Sequence, residues 1–247
     1  MSDQLSNMMP WPAEDFSVYG PVEAKPMGKI QGFVAKAMHR NWVCIPHVTH
    51  NDDVDITGFE ARRKAWNAAN PDKKRTLLPA LIQGSVELLK QFPQFNTSIS
   101  PDGATLYQKD YYNIGIAVDV PSGLLVPVLK NCDQKNVDEI AGELVAISDK
   151  AKTKGLSMAE MSGGCFTLSS LGHIGGTSFS PIINAPEVAI LGITRAKQRF
   201  LPDAEGNPEL HTLLPLSLSY DHRIINGADA ARFCQAMGKF LAEYEFA

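Results

Sequence analysis

The chain lacks the features on which several common functions depend. Its four cysteines, Cys44, Cys132, Cys165 and Cys234, are widely scattered, with no CxxC and no Cys/His pair at zinc spacing. A disulfide framework and a structural zinc are both disfavoured, and no metal is expected. Lys and Arg number 23 against 27 Asp and Glu, and there is no basic block and no basic-aromatic interleaving. Nucleic acid is therefore not an expected partner. No apolar run approaches the about 20 residues that span a bilayer, so no membrane association is expected. The opening MSDQLSNMMPWPAEDF has no positive segment followed by an apolar core, the pattern of a secretory signal. Reduced thiols in a cytoplasmic protein are the matching expectation. Internal repeats, low-complexity tracts, GxGxxG, GxxxxGK[ST] and GxSxG are all missing.

What is present suits one large globular domain or two small ones: 247 residues, 44% of them hydrophobic. Residues 1 to about 26, rich in proline and polar groups, read as an extended arm. A helix follows over Gly28–Trp42, with Ile30, Phe33, Val34, Ala37 and Met38 on one side. HVTHNDDVDI reads as a strand. DITGFEARRKAWNAAN reads as a helix capped by Asp55 or Thr57, and LLPALIQGSVELLKQF as a helix buried on most sides. FPQFNTSISPDG reads as a loop, and YYNIGIAVDV and GLLVPVLKN as two strands parted by PSG. Then come a helix in NVDEIAGELVAISDKAKTK, a strand in GGCFTLSSLG, and two strands, EVAILGITRAKQRFL and LHTLLPLSLSYDH, joined by DAEGNPE. The last helix lies in ADAARFCQAMGKFLAEYEF. Helices and strands interleave while hairpin-length turns appear late. That order predicts a two-layer α/β fold with a mixed sheet, not a doubly wound parallel one.

Chemistry-bearing candidates are few. In SLSYDHRIING, Leu216, Leu218 and Tyr220 alternate with Ser217, Ser219 and Asp221, the period of a strand with two different faces. His222 sits where that strand runs out, between Asp221 and Arg223; a structural or surface histidine is an equally good reading of this stretch alone. GHIGGT has the wrong spacing for a nucleotide loop and reads as a tight glycine turn. Ser169 and Ser170 end the strand FTLSS, where a hydroxyl could stabilise an oxyanion or simply belong to a turn. Asp52, Asp53 and Asp55 lack the Gly and terminal Glu of a calcium loop. His47 and His50, three apart on a strand, point to opposite faces and make poor joint ligands.

Four stretches taken together resemble the catalytic domain of the 2-oxo acid dehydrogenase E2 components, the dihydrolipoyl acyltransferases. SLSYDHRIINGADAARF is similar to the family's C-terminal signature and FTLSSLGHIGGTSFSPIINAPEVAILGI to its central one. NIGIAVDVPSGLLVPVLKN and IPHVTHNDDVDIT match as well. The resemblance runs in order from about Val22 to about Leu241 and is strongest to the pyruvate-type, acetyl-transferring members.

The resemblance implies a chloramphenicol acetyltransferase-like fold over residues 22–247, preceded by a flexible arm over 1–21. It also implies a homotrimer with its active site in a channel between subunits, possible higher assembly of trimers, and transfer of an acyl group, most readily acetyl, between dihydrolipoamide and coenzyme A. By motif, His222 becomes the general base. Ser169 becomes the hydroxyl on the tetrahedral oxyanion, facing a histidine of the neighbouring subunit. Asn226 stands where most of the family has Asp, and the partner position near Lys29 is altered from the usual Arg. Asp119, Ser170 and Gly192 match positions near which the family contacts coenzyme A. Family members also carry lipoyl domains and a domain binding the peripheral dehydrogenase-complex subunits; neither lies within these 247 residues. The lipoyl group is therefore expected in trans. Family C-termini often carry apolar anchors that join trimers; here the end is LAEYEFA, with Phe246 as the candidate. Two other readings remain: an acyl-CoA-dependent transferase with a different acceptor, and a non-catalytic core subunit, against which the retained His222 and Ser169 speak.

Overall fold

The computed structural model describes residues 12–121 and 123–246; the first eleven residues of the expected arm lie outside them. Among these residues the α-helices are α1 (Lys29–Cys44), α2 (Thr57–Ala69), α3 (Leu77–Gln91), α4 (Val137–Thr153) and α5 (Gly227–Glu243). The strands of the main sheet are β1 (His47–Asp55), β4 (Ile114–Ile116), β7 (Val128–Leu129), β8 (Phe166–Ser170), β9 (Ala189–Ile193), β10 (Lys197–Pro202) and β11 (Pro208–Asp221). Between them lie two small hairpins, β2 (Thr97–Ile99) with β3 (Leu106–Gln108) and β5 (Val118–Val120) with β6 (Gly123–Leu125).

The main sheet runs β1-β11-β9-β8-β4-β7, with β10 also paired to β11. The pairs β4/β8 and β8/β9 are parallel and the rest antiparallel. This is the mixed sheet that the order of elements predicts. Its apolar face packs against the helices. Leu214, Leu216, Leu218 and Tyr220 of β11 join Phe166 and Leu168 of β8, Phe59 of α2, Leu81 and Val86 of α3, Ile140 of α4 and Phe233 and Met237 of α5 in one core. α3 is buried over most of its circumference, as its composition predicts. It approaches α5 closely because Gly84 has no side chain. A Cβ there would meet the Phe240 ring at 2.8 Å and the Met237 sulfur at 2.9 Å.

Several boundaries differ from the sequence reading. YYNIGIAVDV is not one strand: β4 stays in the main sheet while β5 turns away with β6. GLLVPVLKN splits likewise into β6 and β7, around Pro127, which has no N–H to give to a ladder. EVAILGITRAKQRFL divides into β9 and β10, and FPQFNTSISPDG contributes β2 rather than a plain loop. The helical stripe of α1 is present, yet Ile30 and Phe33 stay exposed and only Asn41 of that helix is buried. Phe246 packs on its own chain, with its ring 5.2 Å from Phe59 and 5.1 Å from Tyr244. Cys132, Cys165 and Cys234 are buried free thiols; burial pushes Cys132 up to about 11 and Cys234 up to about 12, so both stay protonated near neutral pH.

The opposite face of the sheet is polar, and the segment 177–188 lies over it. Ser217 Oγ donates to Asn51 Oδ1 (2.8 Å) and accepts the Phe179 N–H (3.3 Å). Thr49 and Ser219 share a hydroxyl bond of 2.8 Å. Glu187 is buried on this side, where the Thr167 hydroxyl donates to its Oε2 (2.6 Å). Burial pushes the Glu187 carboxyl up from 4.5 to about 7, against the opposing pull of the Thr167 bond and the half-buried Lys109. A raised carboxyl favours the protonated folded state, so its contribution is intact below about 4.5 and is lost as pH rises through about 7. Glu187→Gln is therefore expected to gain melting temperature relative to the parent chain between pH 5 and pH 8. Thermal unfolding of both proteins across that range checks this, and a pH-independent difference would show that Glu187 is charged throughout.

Candidate active site

His222 follows the last residue of β11 at the start of a turn leading to α5, and is exposed. Its backbone N–H donates to the Pro46 carbonyl (3.1 Å), which ties it to the residue preceding β1. The Tyr220 ring lies 5.7 Å from the imidazole. Asp221 is buried on the polar face and takes the Arg223 guanidinium in a fork, with Nη2 donating to Oδ2 (2.6 Å) and Nε to Oδ1 (2.9 Å). The two charged neighbours of the histidine thus brace the backbone around it.

Asn226 begins α5. Its Oδ1 accepts the Asp229 N–H (3.0 Å) and its carbonyl accepts the Ala230 N–H (3.1 Å). This is the N-cap role that Asn fills as well as Asp. An aspartate at this position would fill the same cap.

Ser169 is half-buried, second from the end of β8. It stands opposite Gly192 of β9, which stands opposite Ser217 of β11. Because β11 runs antiparallel to β9, its end at His222 lies at the far end of the sheet from Ser169. Two strand spacings of ~4.8 Å and five residues at ~3.4 Å place the two side chains roughly 20 Å apart. No single chain can apply both to one carbonyl group.

The remaining candidates scatter. Ser170 follows Ser169 and so points to the opposite, helix-bearing face. Gly192 is buried beneath the Phe179 ring; a Cβ there would meet ring carbons at 2.6 Å. That space belongs to packing in this chain. Asp119 is exposed on the β5–β6 hairpin. The glycine turn after β8 presents carbonyls inward to Arg195, whose guanidinium donates to Gly172 (3.2 Å), His173 (3.0 Å) and Ile174 (3.2 Å). The Ile174 and Gly175 N–H groups both return to the Leu171 carbonyl, so neither is left for a phosphate. His47 is structural: its Nε2 accepts the Ile183 N–H (3.0 Å), its Nδ1 lies 2.8 Å from the Ile45 carbonyl, and Trp42 stacks on it. Among the described residues no group of three or more His, Cys, Asp or Glu could hold a metal ion. None of their helices is long and apolar enough to cross a membrane. A cleft of about 450 Å³ between α3 and the end of α5, lined by Gln83, Cys132 and Tyr244, contains neither His222 nor Ser169.

Sequence reasoning overlooked the Phe179 lid on Gly192 and the buried Glu187–Thr167 pair. A lone Glu inside the apolar run APEVAILGI was the available signal for the second.

The architecture is that of the chloramphenicol acetyltransferase fold. A solved chloramphenicol acetyltransferase superposes with a TM-score of 0.57 at 16% identity, over 83% of this chain and 94% of that one, a likeness of fold alone. The chain itself belongs to the 2-oxoacid dehydrogenases acyltransferase (catalytic domain) family, whose model matches residues 19–247. It is 49% identical over 237 residues to the dihydrolipoyllysine-residue acetyltransferase component of the pyruvate dehydrogenase complex of Pseudomonas aeruginosa, covering 95% of this chain and 43% of that protein. The Azotobacter vinelandii counterpart is 49% identical over 232 residues, covering 93% and 36%. The chain thus spans about two-fifths of the length of these curated relatives. A crystal structure of A. vinelandii dihydrolipoamide acetyltransferase, a study of the role of one serine, one histidine and one asparagine in its catalytic mechanism, superposes with a TM-score of 0.91 at 47% identity, over 96% of this chain and 98% of that one.

The capping geometry makes a prediction independent of catalysis. Asn226→Ala should cost about 1 kcal/mol of stability, while Asn226→Asp should cost a few tenths at most. Urea unfolding of both variants reads the difference, and equal losses would remove Asn226 from the cap.

Proposed function

We propose that this chain is the acyltransferase domain of a 2-oxo acid dehydrogenase complex and moves an acetyl group between dihydrolipoamide and coenzyme A. The observation that carries the reading is an exposed His222 delivered by a rigid strand end, in a chain whose family match runs over nearly its whole length. The catalytic domain begins near residue 22. Dihydrolipoamide, carried outside these 247 residues, and coenzyme A are the two substrates.

The chemistry suits the residues. A thiol of pKa about 8.5 is mostly protonated near neutral pH, and an imidazole of pKa about 6.5 is mostly neutral there. His222 takes the proton as the sulfur attacks the thioester carbon. A new C–S bond forms and the carbonyl oxygen becomes an oxyanion, to which the Ser169 hydroxyl donates; such a donor is worth roughly 3 kcal/mol in the transition state. Collapse expels the other sulfur, which recovers the proton from the imidazolium. One thioester replaces another, so no external energy source is required. Asn226, four residues after His222, supports the site through the start of α5. Asp119 and Ser170 remain the candidate coenzyme A contacts. Gly192 supports that region indirectly, through the seating of Phe179.

The roughly 20 Å between Ser169 and His222 favours a site completed by a second copy. A cyclic, head-to-tail interface sets the serine of one subunit against the histidine of the next, and a trimer closes that ring. The apolar groups left uncovered on α1 and on the β10–β11 hairpin, among them Phe33, Trp42 and Phe200, at 65%, 59% and 70% exposure, are the kind of surface such contacts cover.

The direct test mixes the protein with acetyl-CoA and free dihydrolipoamide and follows the S-acetyl product. His222→Ala should lower turnover by about 10² to 10⁴, and Ser169→Ala should lower kcat more than it raises KM, because its bond strengthens in the transition state. Loss of less than threefold on changing His222 would remove it from the mechanism. Faster acetylation of an amine, hydroxyl or other thiol would move the reading to a different acceptor, and coenzyme A binding with no transfer at all to a scaffold.

Co-refolding equal amounts of the His222→Ala and Ser169→Ala chains should restore about a quarter of wild-type activity, the fraction of shared sites holding both residues in a cyclic assembly. No recovery in mixed assemblies would place both groups in one chain.

A further inference from the structure

His222 has no hydrogen-bond partner for its ring among the described residues; what holds it is the backbone, and what holds the backbone is its two neighbours. The Asp221 N–H donates to the Val188 carbonyl (2.9 Å) and the His222 N–H to the Pro46 carbonyl (3.1 Å), while the Ile224 and Ile225 N–H groups both return to the Asp221 carbonyl (3.0 Å each). Across this turn the Asp221 carboxylate accepts the Arg223 N–H (3.1 Å), an Asx turn with His222 at its apex. The same carboxylate takes three further contacts from the Arg223 guanidinium, at 2.6, 2.9 and 3.2 Å. The Asp221 side chain is 2% exposed and that of Arg223 is 34% exposed.

We infer that Asp221 and Arg223 are positioning residues for His222: the fork locks the turn that aims the imidazole, and the guanidinium screens the buried carboxylate from it. The inference rests on the reading of His222 as general base.

Two physical arguments support it. A carboxylate buried without its partner is costly, so the turn depends on the pair. An unscreened carboxylate one residue from an imidazole would also favour the protonated ring, and a protonated ring cannot act as base. Arg suits the task better than Lys because its planar fork makes two parallel bonds while its charge stays fixed. The carboxylate holds the Arg223 guanidinium above its ordinary range. The other titratable groups facing this turn are His47, opposite Asp221 in the β1–β11 register, Cys44 at the end of α1, which meets Arg223 electrostatically, and Tyr220 beneath the imidazole.

The test compares four variants of the assembled enzyme in acetyl transfer from acetyl-CoA to dihydrolipoamide between pH 5.5 and 9. Arg223→Met should lower kcat by about 10²-fold, the scale of a misplaced catalytic group, with KM changed less than about twofold. It should also move the acidic limb of kcat/KM upward by about one pH unit, because the carboxylate is unmasked. Arg223→Lys should lower kcat but leave the limb in place, since charge is kept and the fork is lost. The double variant Asp221→Asn with Arg223→Met should return the limb to its wild-type position while kcat stays low.

An Arg223→Met enzyme with kcat within threefold of wild type and an unmoved limb overturns the inference. If that variant fails to assemble, the Lys and double variants carry the test: an unchanged kcat in both overturns it equally. His222→Ala is the control. Wild-type turnover there removes the base assignment and the clamp with it. Loss there, beside unaffected clamp variants, removes the clamp alone.

Discussion

Strand β11 is the constraint on which the rest of the molecule depends. It pairs with β1 along nine residues, with β9 along five and with β10 along six, so three strands take their register from it. Leu214, Leu216, Leu218 and Tyr220 enter the core beneath α3 and α5, while Ser217, Ser219 and Asp221 turn to the polar face. A slip of one residue would exchange the two faces entirely. The same alternation that builds the core therefore also fixes where the strand ends and where His222 emerges.

The polar face carries most of the further consequences. Three of its hydroxyls are buried and paired: Ser217 with Asn51 and Phe179, Ser219 with Thr49, Thr167 with Glu187. Such pairing is what allows a sheet face to be dry without being apolar. It leaves Ser169 near one end of the sheet and His222 at the other. A rigid sheet cannot bend the two together.

Much of this was legible in the residues. The interleaving of helices and strands with late hairpin-length turns led to a mixed two-layer fold, and the two-faced period of SLSYDH before the turn Asn226-Gly227 led to a histidine at a strand end. The glycine turn GHIGG read as a turn, and it is one, held by Arg195. The splitting of YYNIGIAVDV, GLLVPVLKN and EVAILGITRAKQRFL was not legible, because strand pattern does not record which sheet a strand joins or where it bends. Gly192 shows a different limit: a glycine in a strand signals close approach, but not that a phenylalanine thirteen residues upstream is what approaches.

By itself the sequence determined the periodicities, the core-facing residues, the breakers and the family-specific motifs, because each is a local property of neighbouring side chains. Only the tertiary structure decided the pairing of Asp221 with Arg223, the burial of Glu187 and the separation of Ser169 from His222. Those depend on strand order and direction, and strand order is set by which apolar faces bury one another across distances of many residues. The motifs single out Ser169 and His222; the antiparallel course of β11 beside β9 decides that one chain holds them apart.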